Sequence, residues 1–232
     1  MWVVIPVKRF AFAKNRLNSV LSSSERESFA QVMLNDVVRA VAEASLVSGV
    51  LLVSNEMRAK YVVERVGGLF LYTAESGVSS AFKQASDWLL RHGQRIAFMM
   101  PSDIPTIESS EIDSLIAAHS GGKSVTIIPD RHYAGTNGLI VSPPDVINYH
   151  FGSDSFTLHV KAAEKVGIKP TVKISQGVAL DIDSQPDLYR LLTVEQSIET
   201  LDYLWDSGIA KRLLSNKNEK FRSERMAASY LM

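Results

Sequence analysis

Three aspartates stand where a carboxylate could hold a divalent cation. Asp103 follows the apolar run 96–100, which is typical of a strand buried on both faces. Asp181 and Asp183 follow the apolar residues 178–180, which we also predict to be a strand. Side chains two apart in an extended segment share one face, so these three carboxylates could form an all-oxygen site for Mg²⁺. The simpler alternative at each position is a turn or helix-capping aspartate.

A basic loop follows the first predicted strand, residues 2–7. It contains Lys8, Arg9, Lys14 and Arg16, and lysine and arginine are the side chains that best bind phosphate. We predict that this loop contacts the phosphates of a nucleotide, and the alternative is a solvated basic loop. The motifs G-x-x-x-x-G-K-[ST] and G-x-G-x-x-G are both absent, which disfavours P-loop NTPases and Rossmann dehydrogenases.

Two further loops could hold an anion. Residues 135–138, Gly-Thr-Asn-Gly, offer the Thr136 hydroxyl and backbone N–H groups that a phosphate could approach. The alternative is a hairpin turn, because Asn-Gly favours one. Gly152 and Ser155 lie where residues 151–156 lead into a predicted helix, whose N-terminus attracts anions. The alternative there is a simple N-cap.

The hydrophobic spacing predicts an α/β fold. Strands alternate with helices through about residue 119, which predicts a mostly parallel central sheet with helices on both faces. Two strands at 124–128 and 138–141 then follow each other with only a loop between them. A capping box is predicted at Ser24–Glu27, ahead of the first long helix.

The carboxyl-terminal part has a different composition. We predict a main domain over 1–193 and an appendage over 194–232, which forms a C-terminal helical extension. The helix predicted at 194–205 is amphipathic, which makes it a candidate contact in a homodimer. Residues 211–225 are rich in Lys, Arg, Asn, Glu and Ser, and we predict a mobile or partner-docking tail there.

Composition excludes several classes of protein. The 25 basic and 25 acidic residues give a net charge of zero, which argues against a general nucleic-acid binder. The absence of cysteine excludes disulfides and thiolate metal sites. No run approaches the roughly 18 apolar residues of a membrane span, and the N-terminal MWVVIPVK lacks the order of a signal peptide. We therefore expect a cytoplasmic protein that binds neither nucleic acid nor a membrane.

The order of these motifs resembles the 2-phospho-L-lactate guanylyltransferase family of deazaflavin coenzyme biosynthesis. The likeness covers roughly 1–190 and rests on PVK…AKNRL, ESGVSSA, MPSDIP, PDRHYAGTNGL, FGSDSFTLHVKAA and LDIDSQPDL. It implies a nucleotidyltransferase fold like that of nucleotide-diphospho-sugar transferases. It also implies transfer of GMP from GTP to the phosphate of 2-phospholactate, phosphoenolpyruvate or 3-phosphoglycerate, with release of pyrophosphate. A downstream deazaflavin-precursor transferase would then be a partner.

The resemblance assigns roles to the residues described above. Mg²⁺ would be bound by three carboxylates: Asp103, Asp181 and Asp183. The acceptor phosphate would be contacted by Thr136, Gly152 and Ser155. We assign nucleotide binding to Lys8, Lys14, Arg16 and Ser79, and catalysis to Asp103, Lys14 and Arg16. Ser79 is a departure, because the family usually has asparagine there, and this weakens the inference that the base is guanine.

The implied chemistry needs no protein nucleophile, because the acceptor phosphate is already an anion that can attack the α-phosphorus of GTP. Bound Mg²⁺ and the basic loop would offset the repulsion between two anions. One alternative is another Mg²⁺-dependent nucleotidyltransferase, acting on a sugar phosphate or a molybdenum cofactor, which a substrate screen with pyrophosphate readout would identify. The other is a nucleotide-binding module without catalysis, which would bind nucleotide without turnover.

Overall fold

The computed structural model describes residues 1–74 and 77–215. Within them, seven strands form one sheet: β1 (Trp2–Val7), β2 (Gly49–Ser54), β3 (Leu69–Tyr72), β4 (Ala97–Met99), β5 (Ser124–Pro129), β6 (Thr136–Ser142) and β7 (Thr171–Val172). The helices are α1 (Ser23–Glu43), α2 (Met57–Glu64), α3 (Val78–Arg91), α4 (Ser109–Ala117), α5 (Ser155–Lys165), α6 (Gln176–Ala179), α7 (Gln185–Leu191) and α8 (Glu199–Asp206). Residues 209–215 are also helical. None of these helices is both long and apolar enough to cross a membrane.

The sheet is mixed and mostly parallel, as predicted. Its strand order is β3-β2-β1-β4-β6-β5-β7. The pairs β1·β2, β2·β3, β1·β4 and β5·β7 are parallel, whereas β6 runs antiparallel to both β4 and β5. The prediction of an α/β fold with a mostly parallel sheet is confirmed.

Helices cover both faces of the sheet. Along β1, Val3 and Ile5 belong to one hydrophobic core and Val4 to the other, because successive side chains point to opposite faces. The first core contains apolar residues of α1, α2, α4, α7 and α8. The second contains apolar residues of α3 and α5. Burial on both faces explains why the central strands are continuous apolar runs.

One edge of the sheet collects the polar loops. Strands β1 to β4 are parallel, so their carboxyl ends lie at the same edge, and the loops that carry Lys14 and Asp103 follow β1 and β4. Strand β6 runs the other way, so its first residue, Thr136, lies at this edge too. The reversal of β6 therefore brings a loop from the second half of the chain to the edge where open α/β sheets bind ligands.

The first long helix begins two residues earlier than predicted. Ser22 is its N-cap and accepts the backbone N–H of Glu25 at 3.3 Å, while the Glu25 carboxylate accepts the N–H of Ser22 at 2.7 Å. The capping box predicted at Ser24–Glu27 is therefore wrong. The sequence offers the same Ser-x-x-Glu pattern in two registers, and the observed one places Leu21 in the core next to the cap.

Residues 176–179 form α6, and the strand predicted at 178–180 is wrong. The Ser175 side chain caps this helix, and Glu111 accepts the N–H of Gly177 at 3.1 Å. A Cβ at Gly177 would overlap the Glu111 carboxylate, so the close approach requires glycine. A run of three apolar residues does not distinguish a strand from one turn of buried helix. The two later aspartates therefore follow a helix.

Helix α8 begins at Glu199, so the helix predicted at 194–205 starts too early. The buried carboxylate of Asp36 accepts the N–H of Glu199 at 3.0 Å and the N–H of Thr200 at 2.8 Å. A carboxylate at these amides fixes the start of the helix. Leu201 and Leu204 belong to the core of the same chain, which uses the apolar face proposed for a dimer contact. A homodimer stays a prediction.

The tail predicted at 211–225 lies only partly within the described residues. Its first part, 211–215, is helical, and Leu213 is buried in the core. Residues 216–225 lie outside the part that the structure describes. The division of the chain into 1–193 and 194–232 stays a prediction, although α8 and Leu213 share a core with α1.

Asp36→Ala should lower the free energy of unfolding by roughly 1–3 kcal/mol, because it leaves buried amides at the start of α8 without an acceptor. The matched control is Arg39→Ala. Arg39 pairs with Asp36 at 2.5 Å, and 41% of the Arg39 side chain is exposed. An ion pair with an exposed partner contributes at most about 1 kcal/mol to the free energy of unfolding. Urea unfolding of the two variants measures both values. Equal losses would show that the ion pair, and not the amide contacts, holds α8.

Candidate active site

A cleft of about 720 Å³ opens at the edge of the sheet where the parallel strands end. Its walls come from the loops after β1 and β4, the start of α3 and the first residue of β6. Six residues of the predicted site line it: Lys8, Lys14, Arg16, Asp103, Thr136 and Asp183. The fold thus gathers basic, acidic and hydroxyl side chains that are far apart in the sequence.

The ammonium group of Lys14 lies between two of the aspartates. Its Nζ donates to Asp103 Oδ2 at 2.5 Å and to Asp183 Oδ1 at 2.8 Å, and only 6% of the Lys14 side chain is exposed. Lys14 has a left-handed backbone conformation, with φ of 55°. This conformation is uncommon for a residue with a Cβ and persists where surrounding contacts enforce it. Lys14 therefore connects the loops after β1 and β4 to the segment that carries Asp183.

The close charges change the proton affinities of this group. Burial disfavours the ammonium form of Lys14, but Asp103 and Asp183 outweigh burial and raise the pKa of Lys14 above its usual value. Burial also disfavours the Asp183 carboxylate, yet the Lys14 ammonium brings the pKa of Asp183 below its usual value. Lys14 and Asp183 are therefore both charged at neutral pH.

Asp181 lies beside this pair in a different environment. Its Oδ1 accepts a hydrogen bond from Asn137 Nδ2 at 3.1 Å. Burial raises the pKa of Asp181, and the nearby carboxylates of Asp103 and Asp183 raise it further. The charged form of Asp181 is thus disfavoured unless a cation approaches, which is the electrostatic property expected of a metal ligand.

The donor set fits Mg²⁺ in its chemistry. Within residues 1–74 and 77–215, no three or more acidic or histidine side chains are gathered closely enough to hold a metal ion. The Lys14 ammonium fills the space between Asp103 and Asp183. Mg²⁺ usually takes only one or two carboxylates and completes its octahedron with substrate phosphates and water. The three aspartates as joint Mg²⁺ ligands stay a prediction.

Contacts between loops hold the aspartates in place. The backbone N–H of Ile182 donates to the carbonyl of Asp103 at 3.1 Å, which joins the two acidic loops directly. Arg131 pairs with the buried Asp187 at 2.6 Å, and Asp187 accepts the N–H of Ser184 at 2.8 Å. The last aspartate of LDIDSQPDL is therefore structural: it fixes the segment that follows Asp183.

The basic loop is anchored at its start. The N–H of Phe10 donates to Glu56 Oε2 at 3.1 Å, and the Arg58 guanidinium, which contacts the same carboxylate, lies 5.0 Å from the centre of the Phe10 ring. Lys8 and Arg16 also line the cleft. Arg16 is 80% exposed and lies 3.7 Å from Asp183. The anchored loop presents its cations to the cleft, and their role in nucleotide binding stays a prediction.

Thr136 faces the cleft and is supported from behind by α5. Its N–H donates to Ser155 Oγ at 2.8 Å, and its Oγ1 lies 2.9 Å from His159 Nδ1. Ser155 is 2% exposed and is the first residue of α5, whereas the N-cap is Asp154. The simple N-cap alternative for Ser155 is therefore wrong. In this structure Ser155 supports Thr136 and does not line the cleft.

The Gly-Thr-Asn-Gly segment is not a hairpin turn. Residues 136–138 lie within β6, and the preceding loop is closed by Asp130, whose Oδ2 accepts the N–H of Gly135 at 2.8 Å. The Asn-Gly pair is therefore part of strand β6, from which the Asn137 side chain contacts Asp181. The turn that joins the antiparallel strands β5 and β6 lies earlier in the chain, in the loop closed by the Asp130 carboxylate, so the placement of a hairpin turn at Asn-Gly is wrong.

Gly152 and Ser79 shape the loop between β6 and α5. Gly152 has φ of +131°, which side chains with a Cβ rarely adopt, and its carbonyl accepts the N–H of Ser155 at 3.3 Å. Ser79 Oγ accepts the N–H of Phe151 at 2.9 Å. Neither Gly152 nor Ser79 is among the described residues that line the cleft. Their roles in acceptor and nucleotide binding stay predictions.

Comparison with protein families matches residues 1–225 to the family described as "Guanylyl transferase CofC like". The chain belongs to this guanylyltransferase family. The match runs past residue 190, where the motif resemblance ended, so the family likeness includes α8. The sequence-based assignment of the family and of the nucleotidyltransferase class is confirmed.

Individual relatives agree with the family. Phosphoenolpyruvate guanylyltransferase of Sphaerobacter thermophilus is 34% identical over 188 residues, which cover 81% of this chain and 90% of that protein. 2-Phospho-L-lactate guanylyltransferase of Methanothermobacter thermautotrophicus is 32% identical over 202 residues, which cover 87% and 88%. A solved Desulfovibrio desulfuricans protein, assigned as a nucleotide-diphospho-sugar transferase, aligns with a TM-score of 0.70 at 15% identity, over 91% of this chain and 97% of that one. This last likeness confirms the predicted fold.

Three residues in or behind the guanylyltransferase cleft were not selected by the sequence analysis: Asn137, Phe151 and His159. Asn137 contacts Asp181, Phe151 lines the cleft, and His159 contacts Thr136. One signal was available, because His159 comes four residues after Ser155 and therefore shares a helix face with it. No local signal predicts that Asn137 reaches Asp181, since that contact depends on the path of β6.

Asp181→Asn should leave the guanylyltransferase at least as stable as the wild type at pH 7, because it removes a carboxylate that lies near two others. Asp183→Asn is the matched control and should be less stable than the wild type, because it removes an ion pair with Lys14. Thermal unfolding of the substrate-free proteins measures both effects.

The advantage of Asp181→Asn should shrink as the pH falls from 7 towards 4. The folded-state pKa of Asp181 is raised, so the wild type takes up a proton there and relieves the same repulsion. A variant that is less stable than the wild type at every pH would contradict the electrostatic description of Asp181.

Proposed function

We propose that this guanylyltransferase transfers GMP from GTP to the phosphate of a three-carbon phospho-acid and releases pyrophosphate. The observation that carries the proposal is the buried Lys14 ammonium, held by Asp103 and Asp183 in a cleft that Thr136 also lines. This cleft combines cationic groups for a nucleotide triphosphate, carboxylates for a divalent cation, and a hydroxyl for a second anion.

The reaction joins two anions, and this is its main difficulty. An oxygen of the acceptor phosphate attacks the α-phosphorus of GTP, the bond to the bridging oxygen of the β-phosphate breaks, and pyrophosphate leaves. The acceptor oxygen is itself the nucleophile, so the protein supplies position and charge. Lys14, already fixed by two carboxylates, meets the phosphates without having to be ordered first.

Mg²⁺, when bound, supplies a further positive charge that neutralises phosphate oxygens and stabilises the charge of the leaving pyrophosphate. Asp103 and Asp181 would hold it, with phosphates and water completing its ligands. Asp183 then serves chiefly to keep the Lys14 ammonium in place, since its 2.8 Å contact is with that group.

The acceptor is expected on the Thr136 side of the cleft. Thr136 comes from β6, which β4 separates from β1 and its cationic loop, so the two substrates would contact different walls of the cleft. The relatives are named for phosphoenolpyruvate and for 2-phospho-L-lactate. Both names describe a three-carbon acid that carries a phosphate, and we propose that acceptor class here.

The direct test is to incubate the chain with GTP and Mg²⁺, adding phosphoenolpyruvate, 2-phospholactate or 3-phosphoglycerate separately, and to measure pyrophosphate. We expect release that depends on one of these acids. A labile product would be captured by adding the downstream deazaflavin-precursor transferase. Pyrophosphate release with a sugar phosphate or a molybdenum cofactor instead would contradict the proposed acceptor class.

Lys14→Met should lower kcat/KM for GTP by about 10- to 150-fold, the equivalent of the roughly 1.5–3 kcal/mol of a hydrogen bond to a charged group. Arg16→Ala should cost less than about fivefold, because an exposed cation is screened by solvent. The control for Lys14→Met is Lys60→Met, since Lys60 forms an exposed ion pair with Glu64. Steady-state kinetics of the three variants measures these effects. A kcat/KM for GTP that is the same in Lys14→Met as in Lys60→Met would contradict the proposal.

Asp103→Asn should abolish turnover while leaving most of the stability, because this carboxylate borders the cleft and not the core. Turnover of the wild type should disappear when EDTA removes Mg²⁺ and return when Mg²⁺ is added back. The variant should stay inactive at saturating Mg²⁺. Activity of the variant at high Mg²⁺ would show that Asp103 affects only the affinity for the metal. Turnover of the wild type in EDTA would show that the reaction does not need Mg²⁺.

A further inference from the structure

A fully buried histidine lies behind the acceptor side of the cleft. His159 is 0% exposed, on the face of α5 that packs against β6. Its ring contacts two groups: Nδ1 lies 2.9 Å from Thr136 Oγ1, and Nε2 accepts the backbone N–H of His150 at 3.0 Å. The Phe151 ring, which lines the cleft, meets the His159 ring edge-on at 4.8 Å between ring centres.

These two contacts fix the proton of the ring. The backbone N–H of His150 can only donate, so Nε2 of His159 must be the acceptor and carries no hydrogen. In a neutral imidazole the proton is then on Nδ1, which donates to Thr136 Oγ1. Burial, together with the neighbouring His150, lowers the pKa of His159 to about 4, so the ring is neutral in the physiological range.

The fixed tautomer determines what the Thr136 hydroxyl can do. Its oxygen accepts from His159 and its backbone N–H donates to Ser155, so α5 holds Thr136 at two atoms. The hydroxyl proton must point away from the Nδ1–H group that donates to the same oxygen. Since Thr136 lines the cleft, the cleft is where a partner for that proton would lie. A hydroxyl held in this way donates, and therefore favours an anionic oxygen.

We propose that His159 is a positioning residue for the acceptor: it holds the Thr136 hydroxyl as a hydrogen-bond donor aimed at an oxygen of the acceptor phosphate. This inference rests on the proposed function for the identity of the anion. It assigns His159 no contact with either substrate and no proton transfer. Its effect on the reaction passes through Thr136, which makes the two residues a coupled pair.

The tautomer can be measured on the wild-type chain without any assay of turnover. Long-range ¹⁵N–¹H NMR at pH 7 should show the His159 ring neutral, with its proton on Nδ1. The chain has five histidines, and the His159 signals are the ones lost in His159→Asn. A proton on Nε2, or a charged ring at pH 7, would overturn the inference whatever the enzyme does.

The coupling is tested by a double-mutant cycle read as the KM of the acceptor. His159→Phe and Thr136→Val should each raise the acceptor KM by about tenfold, as expected for one hydrogen bond to a phosphate. In the Thr136→Val background, His159→Phe should add less than about twofold, because residues that act through one group are not additive. His159→Asn, which keeps a donor near the position of Nδ1, should recover part of the loss.

The matched control is His119, a second histidine that links hydroxyl groups. Its ring nitrogens contact Thr126 Oγ1 and Ser142 Oγ, each at 2.8 Å, and neither hydroxyl residue lines the cleft. His119→Phe should lower the melting temperature and leave the acceptor KM within about twofold. The KM of GTP should stay within about twofold in all of these variants.

Two failures can be told apart. Additive effects of His159→Phe and Thr136→Val, or a KM for GTP that rises as much as that for the acceptor, would overturn the positioning role and leave GMP transfer intact. Absence of GMP transfer to any three-carbon phospho-acid by the wild type would overturn the proposed function and, with it, the acceptor role of this pair.

Discussion

The buried ammonium of Lys14 is the interaction on which the rest of the site depends. Asp103, Asp181 and Asp183 bring negative charges to one sheet edge, and two unit charges 4 Å apart repel by about 4 kcal/mol at an effective dielectric constant of 20. That is large beside the roughly 5–15 kcal/mol that stabilise a whole domain. Lys14 offsets this repulsion through contacts of 2.5 and 2.8 Å. We propose that the same charge meets the phosphates of the substrate, so that one residue would serve both folding and catalysis.

The topology of the sheet brings Thr136, the residue proposed to contact the second substrate, close to this group. The parallel strands β1 and β4 deliver the cationic and acidic loops to the edge, and the reversed strand β6 delivers Thr136 to the same place. Asn137, next in the strand, reaches Asp181, while α5 holds Thr136 from behind. Because the groups arrive from rigid elements, their positions are set before the substrates bind, which reduces the ordering that binding requires.

The sequence predicted the elements well where a pattern was long, and poorly where it was short. The apolar runs of β1 and β2 had only one physical solution, burial on both faces. The three apolar residues at 178–180 were compatible with a strand or a turn of helix, and the Glu111 contact with Gly177 favours the helix. The start of α8 depended on Asp36, more than 160 residues earlier in the chain, so local spacing placed it too early. Tertiary contacts of this kind are invisible to periodicity.

The site was predictable in its residue types but not in its pairings. Carboxylates and cations at strand ends indicated phosphate chemistry, and the cleft brings Lys14, Asp103 and Thr136 together. The sequence analysis predicted that Lys14 contacts the phosphates of the nucleotide, and the structure also pairs it with Asp103 and Asp183. The predicted contact of Ser155 with the acceptor stays a prediction, and in the structure the Ser155 hydroxyl accepts the N–H of Thr136. Which hydroxyl faces the cleft depends on how α5 packs against β6, and residue type does not determine that.

The central claim is that the protein supplies charge and position, and that the acceptor phosphate attacks GTP directly. The stereochemistry at the α-phosphorus tests this claim most directly. GTP carrying sulfur at the α-phosphorus in one known configuration would be converted with the accepted phospho-acid, and ³¹P NMR would assign the configuration of the product. A single direct displacement predicts inversion. Retention would show two displacements through a guanylylated residue of the protein, and would contradict the account.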